Sequence, residues 1–240
     1  MTFEPLAERL RPKSLDEYIG QKHLVGEGCI LRKMIESGHI SSFILWGPPG
    51  VGKTTLAKII ASQVQAPFYT LSAVHSGVKD VRDVLTLCKR DASSMFSQHR
   101  PILFIDEIHR FNKSQQDSLL AAVETGTATL IGATTENPSF EINSALLSRC
   151  KVFVLKALTA EDIQSLLKRA LTSPKGFGGQ RIVIADDLLA AIAEFANGDA
   201  RTALSTLEMA VLNGEEVNGT TTVTKEIVEQ CTSRKSLLYD

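Results

Sequence analysis

The string Gly47-Pro48-Pro49-Gly50-Val51-Gly52-Lys53-Thr54 constrains this chain more than any other feature. Three glycines and two prolines within six residues can neither continue a strand nor sit inside a helix. Yet the string lies between the apolar run Phe43-Ile44-Leu45-Trp46 and the stretch Lys53–Val64, in which Leu56, Ile59, Ile60 and Val64 recur at helical spacing. A buried strand, a tight loop and an amphipathic helix are therefore expected in succession. The alternation continues along the chain. Phe68-Tyr69-Thr70-Leu71 reads as a second strand, and Asp80–Met95 as a second helix carrying Val81, Val84, Leu85 and Cys88 on one face. Ile102–Ile105, Thr129–Ala133 and Val152–Leu155 read as the third, fourth and fifth strands. Strands separated by helices imply right-handed crossovers and a parallel sheet covered on both faces.

From about Ala157 the strands are expected to stop, and three helical patterns follow over Ala160–Ala170, Asp186–Ala196 and Asp199–Leu212. The stretch Ser173–Gly179 between the first two is a loop by composition. The expected organisation is an α/β domain over residues 1–157, with a parallel five-stranded sheet flanked by helices, and a small all-α domain over 158–240. With 43% hydrophobic and 22% charged residues, the composition excludes disorder and a coiled coil. A net charge of −1 excludes a uniformly basic surface, so any polyanion must meet a local patch. Cys29, Cys88, Cys150 and Cys231 lie too far apart for a zinc cluster or a disulfide framework, and four reduced thiols are expected. No apolar run approaches the roughly 18 residues of a membrane span. The N-terminus lacks a signal peptide's apolar stretch, so a soluble, intracellular protein with no membrane partner is expected.

The glycine-rich string fits the pattern G-x-x-x-x-G-K-[ST] in full, after a strand and before a helix. Such a loop turns successive backbone N–H groups inward around a phosphate, and the following helix adds its positive dipole end. Lys53 would neutralise the β- and γ-phosphates, and the Thr54 hydroxyl is placed to ligate Mg²⁺. The full cradle comprises Gly47, Pro48, Pro49, Gly50, Val51, Gly52, Lys53, Thr54 and Thr55. A phosphate loop needs an acid at the end of a neighbouring strand, and Asp106-Glu107 follows Ile102–Ile105. Asp106 would hold Mg²⁺ through its water shell, leaving Glu107 to polarise an attacking water. The second acid argues for hydrolysis rather than phosphate transfer to a small substrate. Asn112-Lys113-Ser114-Gln115 departs from the guanine-reading N-K-x-D at its last position, which disfavours a small GTPase.

Trp46–Gly50, Asp106–Arg110 and Gly198-Asp199-Ala200-Arg201 resemble the clamp-loader and Holliday-junction-motor branch of the AAA+ ATPases. Asp106–Asp117, Gly132–Phe140 and Ser144–Arg149 are similar, more specifically, to the family of bacterial replication-associated recombination protein A (RarA/MgsA), relatives of the eukaryotic Werner-helicase-interacting ATPase. The likeness runs from Pro5 to about Leu238, and it implies an ATPase core cut from a longer chain, with the helical domain as a lid over ATP. By the same resemblance Thr135 is sensor 1, with Thr134 less favoured. Arg149 is the arginine finger that reaches a neighbouring subunit's ATP, and Arg201 is sensor 2. The alternatives are a surface ion pair for Arg149 and a helix-capping role for Arg201. Leu10-Arg11-Pro12 and Tyr18-Ile19-Gly20-Gln21 resemble the segment that wraps the adenine, with Arg11, Pro12 and Ile19 as the implied contacts, although Pro12 and Gly20 fit ordinary turns equally well.

The resemblance also implies DNA contact through Lys79, Arg82 and Lys113 at helix starts, tempered by Asp80 and Asp83 and by the usual solvation of such lysines. His75 and His109 have no partner at metal-ligand spacing and are read as structural hydrogen bonders. The implied function is a DNA-dependent ATPase using ATP and Mg²⁺ at DNA ends, gaps or stalled forks in replication-associated recombination and repair. Its implied partners are DNA, further copies of the chain in a tetramer, and a single-stranded-DNA-binding protein, in a bacterial cytoplasm at the nucleoid. A clamp-loader subunit, a branch-migration motor and an ATP-dependent scaffold are the alternatives. Loaders often carry clustered cysteines and motors a winged helix, neither found here. Scaffolds usually lose the second acid or the finger, and both are kept.

Overall fold

The structure is a computed structural model in which residues 4–94 and 99–233 are described. It divides into two units. One is Pro12–Lys156; the other takes Met1–Arg11 and Ala157–Asp240, of which residues 4–11 and 157–233 are described.

In the first unit, β1 (Phe43–Trp46), β2 (Phe68–Ser72), β3 (Ile102–Asp106), β4 (Thr129–Thr134) and β5 (Lys151–Val154) form one sheet in the order β2-β3-β4-β1-β5. Every pairing is parallel, as expected for strands joined by helical crossovers. Alternate residues face opposite cores. Phe43, Leu45, Ile102, Phe104, Ile131 and Ala133 pack with Leu56, Ile59 and Ile60 of the helix Lys53–Gln63. Ile44, Leu103, Ile105 and Leu130 face the other way, onto Val81 and Cys88 of the helix Val78–Ala92 and Leu119 of Lys113–Glu124. Both faces are thus apolar, which is why the inner strands read as unbroken hydrophobic runs. The helix expected to end at Met95 ends at Ala92, and Met95 lies outside the described residues.

The second unit packs the helices Ala160–Thr172, Asp186–Ala196 and Ala200–Leu212 around Ile163, Leu167, Leu189, Ile192, Ala203 and Leu207. Two sequence expectations need correction. Strands do not stop at Ala157, because β6 (Arg181–Val183), β7 (Glu215–Val217) and β8 (Thr220–Thr222) form a small sheet in the order β6-β8-β7. Two of these three-residue strands are rich in glutamate or threonine and the third, Arg181-Ile182-Val183, is too short to show a period of two, so periodicity misses them. The legible signal was Asn218-Gly219, whose φ values of 53° and 72° make the two-residue hairpin turn between β7 and β8.

The second correction concerns the first eleven residues, which fold with the later unit and not with the α/β unit. Leu6 is fully buried, and its backbone N–H donates to both carboxylate oxygens of Glu208, at 3.0 and 3.1 Å. The Arg9 guanidinium also reaches Glu208 at 3.3 Å, donates to the carbonyls of Lys175 and Gly176, and lies over the Phe177 ring.

Phe104 is 1% exposed at the centre of β3 and stacks on Phe68. Replacing it with alanine is expected to lower stability by about 3–5 kcal/mol. Urea unfolding checks this: the midpoint should fall while the slope is unchanged.

Candidate active site

The parallel register sets the site. Trp46 at the end of β1 lies beside Thr134 at the end of β4, and Ile105 of β3 beside Gly132 of β4. Three strand ends therefore emerge together: the glycine-rich loop after β1, Thr134-Thr135 at the end of β4, and Asp106-Glu107 at the end of β3.

The loop is held at both ends. Gly47 N–H donates to the Thr134 carbonyl at 3.1 Å, and a Cβ at Gly47 would lie 2.5 Å from the Leu155 carbonyl oxygen, so only glycine fits. Gly52 adopts φ 93° and directly precedes the helix Lys53–Gln63. A side chain there would meet the Tyr18 hydroxyl at 2.8 Å. The Lys53 ammonium is buried and donates to the carbonyls of Gly47 and Pro48, at 2.7 and 2.8 Å, folding back over the loop. Thr54 is half-buried and Thr55 buried on the first helical turn, while Pro48 and Pro49 are exposed and Val51 is in the core.

Across β4, Glu107 adopts the left-handed conformation at φ 52°, a placement that a non-glycine side chain rarely takes and that clusters at functional sites. Its Oε2 accepts from the Thr135 hydroxyl at 3.3 Å, and His109 Nδ1 lies at the same distance. Thr134 is fully buried; its hydroxyl contacts His109 Nδ1 at 2.9 Å and accepts from the Glu136 N–H at 3.0 Å. Of the two threonines, Thr135 is the one that touches Glu107. Asp106 ends β3 half-buried, with its carbonyl accepting from Ala73 N–H at 2.9 Å.

The other sequence-predicted residues are more dispersed. Arg149 follows the helix Ser144–Leu147 and pairs with Glu124 at 2.7 Å, while donating to the Ala145 carbonyl. Beside it Cys150 is a free thiol pushed by burial up to about 11, hence protonated at neutral pH. Arg201 belongs to the second unit, exposed on the first turn of Ala200–Leu212, which Asp199 caps by accepting from Arg201 N–H at 2.8 Å. Arg11, half-buried, ends the N-terminal stretch of that unit and pairs with Glu8; Pro12 and Ile19, both half-buried, begin the other. Lys79, Arg82 and Lys113 are all exposed. The Gln115 amide donates to the Ser76 carbonyl at 3.2 Å, tying the Lys113 helix start to the turn that leads into Val78–Ala92.

Sequence reasoning missed the polar side chains that hold these loops. Gln116, 4% exposed, donates to the carbonyls of Phe111 and Glu141, and its oxygen accepts from Asn143 N–H at 2.7 Å. It thereby joins the turn after Glu107 to the segment leading to Arg149. A glutamine on a helix gives no periodic signal of burial.

A parallel sheet with this loop and paired acids defines a P-loop nucleotide-binding protein. The family model for the ATPase family associated with various cellular activities (AAA) matches residues 43–158, and that for an AAA C-terminal domain matches 178–240. The chain is 50% identical over its full length to replication-associated recombination protein A of Escherichia coli K12, and 47% identical over 99% of its length to that of Haemophilus influenzae. It covers 53% of each, and so spans about half the length of these curated relatives. It is also 45% identical to the ATPase WRNIP1 of Dictyostelium discoideum, of which it covers 29%. Among solved structures, the RuvB Holliday junction branch migration motor of Thermotoga maritima aligns with a TM-score of 0.74 at 32% identity, over 93% of this chain and 72% of that one. The chain belongs to the AAA ATPase family, and along its whole length it is similar to replication-associated recombination protein A.

Among the described residues no helix is long and apolar enough to cross a membrane, and no cluster of His, Cys, Asp and Glu could by itself hold a metal.

Gly52→Ala combines a strained φ with a clash against Tyr18. It is expected to cost about 1–2 kcal/mol from the backbone alone, with a further loss from displacing the ring, read as a lower thermal midpoint.

Proposed function

We propose that this chain is the ATP-hydrolysing core of a DNA-dependent ATPase acting at DNA ends, gaps or stalled forks during replication-associated recombination and repair. The observation that carries this reading is the Thr135–Glu107 hydrogen bond at 3.3 Å, one strand away from a complete phosphate loop. It fixes the Glu107 carboxylate next to Asp106, which supports a water-orienting role for Glu107.

The residues fit ATP with Mg²⁺. Backbone N–H groups of Gly47–Thr55 would cradle the phosphates, with Thr54 and Asp106 on the cation side and Arg11, Pro12 and Ile19 toward the base. Bound Mg²⁺-ATP supplies the electrophilic γ-phosphorus and an anhydride leaving group. Glu107 orients the water and takes its proton as the oxygen–phosphorus bond forms and the γ–β bridge breaks. Lys53 leaves its loop carbonyls for the phosphates, where its charge counters the negative charge that grows in the transition state. Arg149 leaves Glu124 to reach the next copy's γ-phosphate; a guanidinium stays charged at any working pH and matches phosphate geometry. Arg201 reports the γ-phosphate to the second unit. Lys79, Arg82 and Lys113 contact the DNA backbone without reading sequence. The assembled protein is a homo-oligomer, by family a tetramer, in the bacterial cytoplasm at the nucleoid, with a single-stranded-DNA-binding protein as a recruiting partner.

The likeness to a branch-migration motor favours a second reading, a motor on four-way junctions. Steady-state ATP hydrolysis with no DNA, single strands, blunt duplex, forked duplex and a four-way junction separates the two. Stimulation by ends and forks supports the first reading. Stimulation confined to junctions supports the second, and indifference to every DNA removes the DNA half of both.

Glu107→Gln is expected to cut kcat by about 100-fold or more while ATP still binds, the usual contribution of a general base. Arg149→Ala should abolish turnover in the oligomer and change little in an isolated core; equal losses in both would exclude a finger acting between subunits.

A further inference from the structure

Tyr18 and Gln21 lie on a short segment that touches the phosphate loop at one end and the boundary between the units at the other. The Tyr18 side chain is 9% exposed, within the core cluster that includes Val51 and Leu56. Its hydroxyl donates to the carbonyls of Val51 and Gly52, each at 3.2 Å. Burial raises the phenol's pKa, so the proton that makes it a donor stays in place. In a trans peptide the C=O and the N–H point in opposite directions. Holding the Val51 and Gly52 carbonyls therefore aims the N–H groups of Gly52 and Lys53 away from Tyr18, as a phosphate cradle requires. The absence of a side chain at Gly52 lets the ring come this close.

Three residues on, Gln21 is 6% exposed and in the left-handed conformation. Its amide N–H donates to the Lys156 carbonyl at 2.7 Å, and its oxygen accepts from Lys156 N–H at 3.0 Å. One side chain thus satisfies both polar groups of one residue, as a paired strand would. Lys156 is the last residue of the α/β unit. The residue before it, Leu155, donates its N–H to the Trp46 carbonyl at 2.7 Å and packs against Gly47. The backbone at 155–156 is therefore gripped by the start of the phosphate loop and by Gln21. Only Ile19 and Gly20 separate the two polar side chains, and Gly20 and Gln21 both have positive φ, at 76° and 53°, a tight turn with little slack.

We infer that Tyr18 and Gln21 are positioning residues that bracket the phosphate loop to Lys156, so that phosphate occupancy of the loop stiffens the backbone where the chain leaves the α/β unit. The inference rests on the nucleotide reading above. It adds a route by which the bound state reaches the second unit through the backbone, independent of any side chain that senses the γ-phosphate.

The test is amide hydrogen exchange at Lys156 in the full chain, with and without Mg²⁺-ADP, beside binding titrations of ADP and of inorganic tripolyphosphate. In the unaltered protein, ADP should slow exchange at Lys156 by about fivefold or more, as expected for a locally stabilised backbone. Tyr18→Phe keeps the ring and loses the donor. Its dissociation constants for ADP and for tripolyphosphate should both rise by about five- to tenfold, the loss of one net hydrogen bond. At saturating ADP the slowing at Lys156 should vanish. Gln21→Met should leave ADP affinity within about twofold, with Lys156 exchanging fast whether or not ADP is bound. Tripolyphosphate binding by Tyr18→Phe at the unaltered strength, or ADP protection of Lys156 persisting in it, overturns the inference. Should Tyr18→Phe fail to fold, protection of Lys156 in Gln21→Met at the unaltered level overturns it instead. Failure of the unaltered protein to bind ADP removes the nucleotide reading itself, a result distinct from these.

Discussion

The parallel pairing of β1 with β4 is the constraint on which the rest of the site depends. It sets Trp46 beside Thr134, lets Gly47 N–H close onto the Thr134 carbonyl, and so begins the phosphate loop directly beside the threonine pair. Because β3 pairs with the other edge of β4, Asp106 and Glu107 arrive one strand further along. Two apolar layers hold this register. A slip of one residue would turn Phe43 and Leu45 toward the layer built for Ile44, and every inner strand would have to slip with it.

On that apolar frame, a few buried polar side chains set the loops. No buried side-chain nitrogen or oxygen among the described residues lacks a partner. Gln21, Gln115 and Gln116 each reach backbone groups on a distant segment. Buried amides of this kind lose their desolvation penalty only when fully bonded, so each specifies one arrangement of the segments it joins. The result is a set of strand-end loops held from behind, with Lys53, Glu107 and Arg149 all engaged by groups of the chain itself. The Lys53 and Arg149 cations rest on carbonyls and a carboxylate of the chain itself, contacts that an anionic group can replace.

The second unit is built on different terms. Its core comes from its helices, Lys225–Thr232 adding buried Val228 to the three named above, while no residue of its small sheet is buried. The N-terminal stretch joins it through the burial of Leu6 and the two-oxygen grip of Glu208 on the Leu6 N–H, although the intervening sequence belongs to the other unit. The chain therefore passes between units at Arg11–Pro12 and again at Lys156–Ala157. Both passages adjoin segments tied to the phosphate loop.

The sequence by itself determined the five parallel strands, the phosphate loop, the paired acids and the helical character of the later unit. Each of these is written locally: an apolar run of strand length, a glycine spacing, a helical period. Tertiary structure alone decided the rest. That Thr135 and not Thr134 touches Glu107 depends on how the chain turns beyond the ends of β3 and β4. That Glu208 holds the N-terminus, Gln21 holds Lys156, and Tyr18 holds the loop depends on residues up to 202 positions apart in the chain. A lone glutamine, tyrosine or glutamate carries no period and no spacing, and its partner is a backbone group identical in every residue. Such contacts exist only once packing has brought the two segments together.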